Sequence, residues 1–110
     1  MKAARLQKLL EFSEKETSDP FLKYALATEY LNLGDTESAL KYFEDLVLNH
    51  EDYVGTYYHL GKLYEGLERT EDALKTYQKG MDVASRAGNT HTLSELQAAY
   101  RSANLNYEDD

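Results

Sequence analysis

The stretch YYHLGKLYEGLERTEDALKTY, residues 57–77, sets four tyrosines and two glycines among leucines. A glycine inside a helix costs about 1 kcal/mol of helix stability relative to alanine, so a packing reason must offset it. Comparing the chain with itself supplies that reason. Shifted by 34 residues, segment 20–53 matches segment 54–87 at nine positions, where about two would arise by chance. The matches are Tyr24/Tyr58, Leu26/Leu60, Tyr30/Tyr64, Leu33/Leu67, Thr36/Thr70, Glu37/Glu71, Ala39/Ala73, Leu40/Leu74 and Lys41/Lys75. Ala27/Gly61 keeps a small residue and Phe43/Tyr77 keeps an aromatic one. This is an internal repeat.

Each copy reads as two helices joined by a tight turn. Phe21, Tyr24, Leu26, Ala27, Tyr30 and Leu33 fall near helical spacing, the mark of one apolar face. Gly34 suits a left-handed helix end, and Asp35 or Thr36 suits the cap of the next helix. Ala39, Leu40, Phe43, Leu46 and Val47 then share a face. The second copy repeats the plan over 54–67 and 71–87, with Thr70 expected as N-cap and Glu71 and Asp72 at the positive end of the dipole. The small residues Ala27, Gly61, Ala39 and Ala73 mark where helix axes approach closely, with tyrosines filling the wider parts of the contact.

The period and these residues resemble the tetratricopeptide repeat, a 34-residue helical hairpin. Counting Pro20 or Val54 as the first position, the small, tyrosine, alanine and aromatic positions of that motif fall on Ala27, Tyr30, Ala39 and Phe43, then on Gly61, Tyr64, Ala73 and Tyr77. The resemblance covers 68 of 110 residues. Departures are visible too. The usual early aromatic is Tyr57 in the second copy but Lys23 in the first. The usual late proline is Glu51 and Ser85, so the last helix of the second copy is expected to run toward Gly88. The usual late alanine is Leu46 and Gly80.

Two copies leave apolar faces that flanking segments must cover. Leu6, Leu9, Leu10 and Phe12 predict an N-terminal helix over about 3–16 within segment 1–19. Asp19 is its successor's N-cap, with Pro20 in the first helical position. Segment 88–105 predicts a C-terminal capping helix, opened by a capping box at Thr92 and Glu95. Leu93, Leu96, Ala99, Tyr100 and Ala103 lie on its packing side, with Gln97, Arg101 and Ser102 opposite. Residues 106–110 are read as a flexible tail. The expectation is one all-α domain over 1–110: six helices, antiparallel in pairs, in a short right-handed superhelix (an α-solenoid).

Composition limits function. The chain carries a net charge of −8 and no cysteine. That disfavours nucleic acid and anionic membranes as partners and excludes disulfides and thiolate metal sites. A basic or apolar peptide suits it better. No segment reads as a membrane span or a secretory signal, which leaves the cytoplasm as default compartment. His50, His59 and His91 make no metal-binding pair, although His59 sits beside the tyrosines. Ser13, Ser18, Ser38, Ser85, Ser94 and Ser102 lack a nucleophile setting, and the scattered glycines form no phosphate loop. Glu51-Asp52 and Glu71-Asp72 read as loop and helix-start charges. No catalytic residue, cofactor or metal is expected, and the chain does not read as an enzyme.

The resemblance implies a concave groove lined by the first helix of each copy, taking a peptide or protein segment. Carried onto this sequence, its lining is Phe21, Tyr24, Thr28, Leu31 and Asn32, then Gly55, Tyr58, Lys62, Glu65 and Gly66. Tyr24, Tyr58 and Lys62 are the leading contact residues, since tyrosine offers large area with few torsions to freeze. The competing reading makes Tyr24 and Tyr58 core. The carboxylate clamp of the family wants Lys and Asn where Tyr24/Thr28 and Tyr58/Lys62 stand, so that specificity is not implied. The expected function is a non-catalytic interaction module with affinity on the order of micromolar. The alternatives are a structural self-association module, giving a weak homodimer or larger homo-oligomer, and a regulatory subunit of a larger assembly.

Overall fold

A computed structural model of the chain describes residues 2–15 and 18–109. Met1, Glu16, Thr17 and Asp110 lie outside the described residues, and with them the last residue of the expected N-terminal helix and the end of the expected tail. Among the described residues every regular element is a helix. They are α1 (Lys2–Lys15), α2 (Pro20–Asn32), α3 (Thr36–Asn49), α4 (Gly55–Gly66), α5 (Thr70–Arg86) and α6 (Thr90–Asp109). The helices form two compact units, Met1–Tyr53 and Val54–Asp110. The boundary falls where the first repeat gives way to the second.

In the first unit α2 packs against α1 on one side and α3 on the other. Leu26, Ala27, Ala39, Phe43 and Leu46 are fully buried, as the repeat pattern requires. Asp19 caps α2 by accepting the Phe21 amide at 2.9 Å, and Pro20 starts the helix where no amide is needed. Gly34 ends the hairpin's first arm at φ +82°, and Asp35 caps α3 by accepting from the Ser38 amide at 3.1 Å. Glu29 is buried on α2 and takes the Arg5 guanidinium of α1 at 3.2 Å. The pairing matters, because a buried carboxylate without a partner is costly. Phe12, by contrast, stays 58% exposed instead of joining the Leu6, Leu9 and Leu10 stripe.

In the second unit α5 packs on α4 and on α6, and α4 touches α6 as well. Here the glycines find their reason. A Cβ on Gly61 would lie 2.1 Å from Cε1 of Tyr77, so the bare backbone of α4 makes room for that ring. A Cβ on Gly80 would lie 2.5 Å from Cβ of Tyr57 and 3.0 Å from Cδ1 of Leu96. Tyr57, Tyr77 and Leu96 are fully buried as a result. Thr56 is buried too, and its hydroxyl has no hydrogen-bond partner, a desolvation cost of about 1–3 kcal/mol that this unit carries.

Three helix boundaries differ from the sequence reading. Arg69, not Thr70, occupies the N-cap of α5, with no side-chain hydrogen bond there. The Arg69 guanidinium instead reaches Asp72 at 2.8 Å and lies 4.5 Å over the Tyr64 ring. Asn89 opens α6 by accepting the Thr92 amide at 3.1 Å, so Thr92 lies inside the helix and makes no capping box. Finally α6 continues to Asp109, past the boundary expected at 105. There the Tyr107 hydroxyl donates to the Glu71 carboxylate at the start of α5. The run of α5 toward Gly88 does occur: the helix ends at Arg86, and Gly88 turns the chain at φ +71°.

Candidate functional site

Tyr58 and Lys62 stand one turn apart on α4, on the side that meets α6. Opposite them α6 presents Ala98, Ala99 and Ser102, small side chains spaced along one helical face. Large residues on one wall and small ones on the other leave an open cleft of about 290 Å³, with Glu95 at one end. The C-terminal helix therefore narrows this side of α4 without filling it.

The charges around the cleft are already partly engaged. The Lys62 ammonium sits 5.6 Å from the Tyr58 ring centroid and 3.7 Å from a Glu65 carboxylate oxygen. Glu65 also accepts a hydrogen bond from the Tyr77 hydroxyl. Burial and that carboxylate together push the Tyr77 phenol far above its ordinary value, so it stays protonated in the folded chain. Glu95 lies 3.4 Å from the His91 imidazole, one turn earlier on α6. His59 neighbours Tyr58, ring edge to face at 5.9 Å, and its half-burial lowers its pKa, with Glu95 pulling weakly the other way.

The sequence-derived candidates of the first unit behave differently. Tyr24 is half-buried and packs edge-on against Phe43 at 6.4 Å and Tyr53 at 5.6 Å, so its ring is engaged in the unit's interior. Burial raises its phenol pKa. The Thr28 hydroxyl donates to the Ala25 carbonyl at 3.0 Å, within its own helix. Leu31 is half-buried, and Phe21 is 61% exposed. Glu65, in the second unit, serves Tyr77 and Lys62 from the flank of α4.

Sequence reasoning missed the wall formed by α6. Ala99 is buried on the packing side and Ser102 exposed on the polar side, as the spacing predicts, and both also line the cleft with Ala98. The run Ala98-Ala99, followed by Ser102 and Ala103, was the available signal. Of the histidines, His50 borders a separate cleft of about 430 Å³ in the first unit, beside Pro20, Asn49, Glu51, Asp52 and Tyr53. Among the described residues no group of three or more His, Asp or Glu side chains is arranged to hold a metal ion. No helix of the described residues is long and apolar enough to cross a membrane.

A family model described as a tetratricopeptide repeat matches residues 22–48 and 54–86. A tetratricopeptide repeat domain protein from Salinibacter ruber, solved by solution NMR, is 55% identical over 77% of this chain and 86% of its own, with a TM-score of 0.75. A crystal structure of a tetratricopeptide repeat domain protein from the same organism shares 55% identity over 78% of this chain and 96% of its own, again at 0.75. The first such domain of Spaghetti, bound to the HSP90 peptide SRMEEVD, is 18% identical over 92% of this chain and 79% of its own, with a TM-score of 0.72. At that identity the likeness is one of fold. No curated protein matches the chain.

Proposed function

Because the chain belongs to the tetratricopeptide repeat family, whose members generally mediate protein–protein interaction, we propose that it is a non-catalytic module that binds a peptide or protein segment, with the α4–α6 cleft as a contact point. One observation carries the reading: Tyr58 and Lys62 face small α6 residues across open space, whereas the half-buried Tyr24 of the first unit packs edge-on against Phe43 and Tyr53. A half-buried aromatic beside an unfilled cleft is a common anchor for a partner side chain. The Spaghetti complex supports the reading by showing that this fold takes a short peptide.

The test uses the full chain and a bead-displayed library of blocked seven-residue peptides. Peptides retained by the wild type should lose about fivefold or more in affinity with Tyr58→Ala, the cost of truncating an anchoring tyrosine. Ser102→Trp, which fills the cleft from an exposed position, should act in the same direction. Unchanged affinity for both variants, with helical circular dichroism intact, would sink the proposal.

A second reading, self-association, rests on the first unit's exposed Phe12, Phe21 and Leu48. Light scattering at two concentrations separates the two. A constant monomer mass rules self-association out.

A further inference from the structure

We infer that the α4–α6 cleft receives a cationic side chain, an arginine or lysine projected from a basic segment of the partner. This rests on the binding reading above and adds the chemistry of the bound group. The size of the cleft, about 290 Å³, is that of a single long side chain. Its walls suit an alkyl stem: the Tyr58 ring on one side, the methyl groups of Ala98 and Ala99 on the other. The ring face attracts a cation, and the Lys62 ammonium already lies 5.6 Å from its centroid, which leaves the rest of the ring to the stem.

Charge then decides the sign. Of the lining side chains, Lys62 is positive and Glu95 negative. Lys62 lies 3.7 Å from Glu65 and 5.6 Å from the Tyr58 ring centroid, with its side chain 45% exposed, so Glu65 partly offsets its charge. Glu95 is about half-exposed at the end of the cleft, with the His91 imidazole as its neighbour. The half-buried His59 is held toward its neutral form, so it adds little opposing charge near neutral pH. An acidic guest would have to draw Lys62 away from Glu65 and approach a chain of net charge −8. A basic guest meets a carboxylate at the rim and an attractive long-range field.

The same peptide library tests this. Peptides retained by the full chain should be enriched in arginine and lysine over aspartate and glutamate. Replacing the basic residue of the best peptide by norleucine should weaken it. Glu95→Gln should weaken the parent peptide about three- to fivefold, the scale of a half-exposed ion pair. Lys62→Gln removes the like charge from the lining and should tighten binding of that peptide. Enrichment of acidic residues, or Glu95→Gln binding as tightly as the wild type, overturns the inference. If neutral or acidic peptides are retained and then lost with Ser102→Trp, the cleft still binds and only the cationic guest is wrong. If no peptide is retained, the binding reading falls as well, and this inference with it.

Discussion

The two hairpins, α2–α3 and α4–α5, fill equivalent positions with opposite choices of size. Ala27 and Phe43 of the first correspond to Gly61 and Tyr77 of the second, and all four are buried. The second hairpin gives up a methyl group on one helix and gains a hydroxyl on the facing ring. Lys23 and Leu46 likewise correspond to Tyr57 and Gly80. In the first hairpin Leu46 fills the space and Lys23 turns to Asp45 at 2.6 Å. In the second a tyrosine fills the space, and the facing residue has shrunk to bare backbone. What the repeat keeps is therefore a filled contact, supplied by different residues on its two sides, as close packing demands.

That comparison breaks most visibly at Gly61. Gly61→Ala places a methyl against the Tyr77 ring, and the expected loss is about 2–3 kcal/mol, the usual scale of overpacking. Adding Tyr77→Phe keeps the clashing ring carbons but releases the ring from its hydrogen bond to Glu65, so the ring can shift toward the arrangement of the alanine–phenylalanine pair and should recover part of the loss. A double-mutant cycle by urea denaturation measures the coupling. Strictly additive effects would mean that the two positions do not trade volume.

The turns offer a smaller test. Gly34 and Glu68 are equivalent, and both hold positive φ, +82° and +60°. Glutamate has a Cβ to strain there, and glycine has none. Glu68→Gly should stabilise the chain by about 1 kcal/mol, a rise in Tm of roughly 4 °C. No rise would show that Glu68 is held by more than its backbone.

The smallest difference is chemical. The first hairpin has Ala25 where the second has His59. Desolvation lowers the His59 pKa from 6.5, so the unfolded chain takes up a proton there more readily than the folded one. The contribution to stability is complete above that value and is lost as the pH falls through the window just beneath it. The group is about half-exposed, so the effect is modest. Urea midpoints at pH 7.5 and 5.5 should differ less for His59→Gln than for the wild type. An equal difference would assign the pH dependence to other groups.

Much of this architecture was legible because the signals were local or repeated. Asp19-Pro20 and Gly34-Asp35 act within a few residues, and the 34-residue shift exposed both hairpins. The misread caps had local competitors. Asn89 and Thr92 are both good cap formers, and only backbone geometry selects Asn89. Gly80 stood out as a departure, yet its meaning lies in Tyr57, 23 residues earlier and across a helix contact. The candidate site divides in the same way. Tyr24 and Tyr58 are identical in the repeat, so sequence gave them one role. The structure separates them, because Tyr53 packs on Tyr24 whereas α6 sets Ala98, Ala99 and Ser102, with Glu95 at one end, across the cleft from Tyr58. Such neighbours come from outside the period and leave no trace in it.

The glycine beneath Tyr77 also bears on how the chain finds its own pairings. A duplicated hairpin invites mistakes during folding, since each arm has two similar candidates for a mate. Here the wrong matches are penalised from both directions. Helix α2 joined to α5 would drive the Ala27 methyl toward a ring that tolerates only bare backbone, and α4 joined to α3 would leave a void between Gly61 and Phe43. One size code thus packs the finished molecule and discourages the shuffled one.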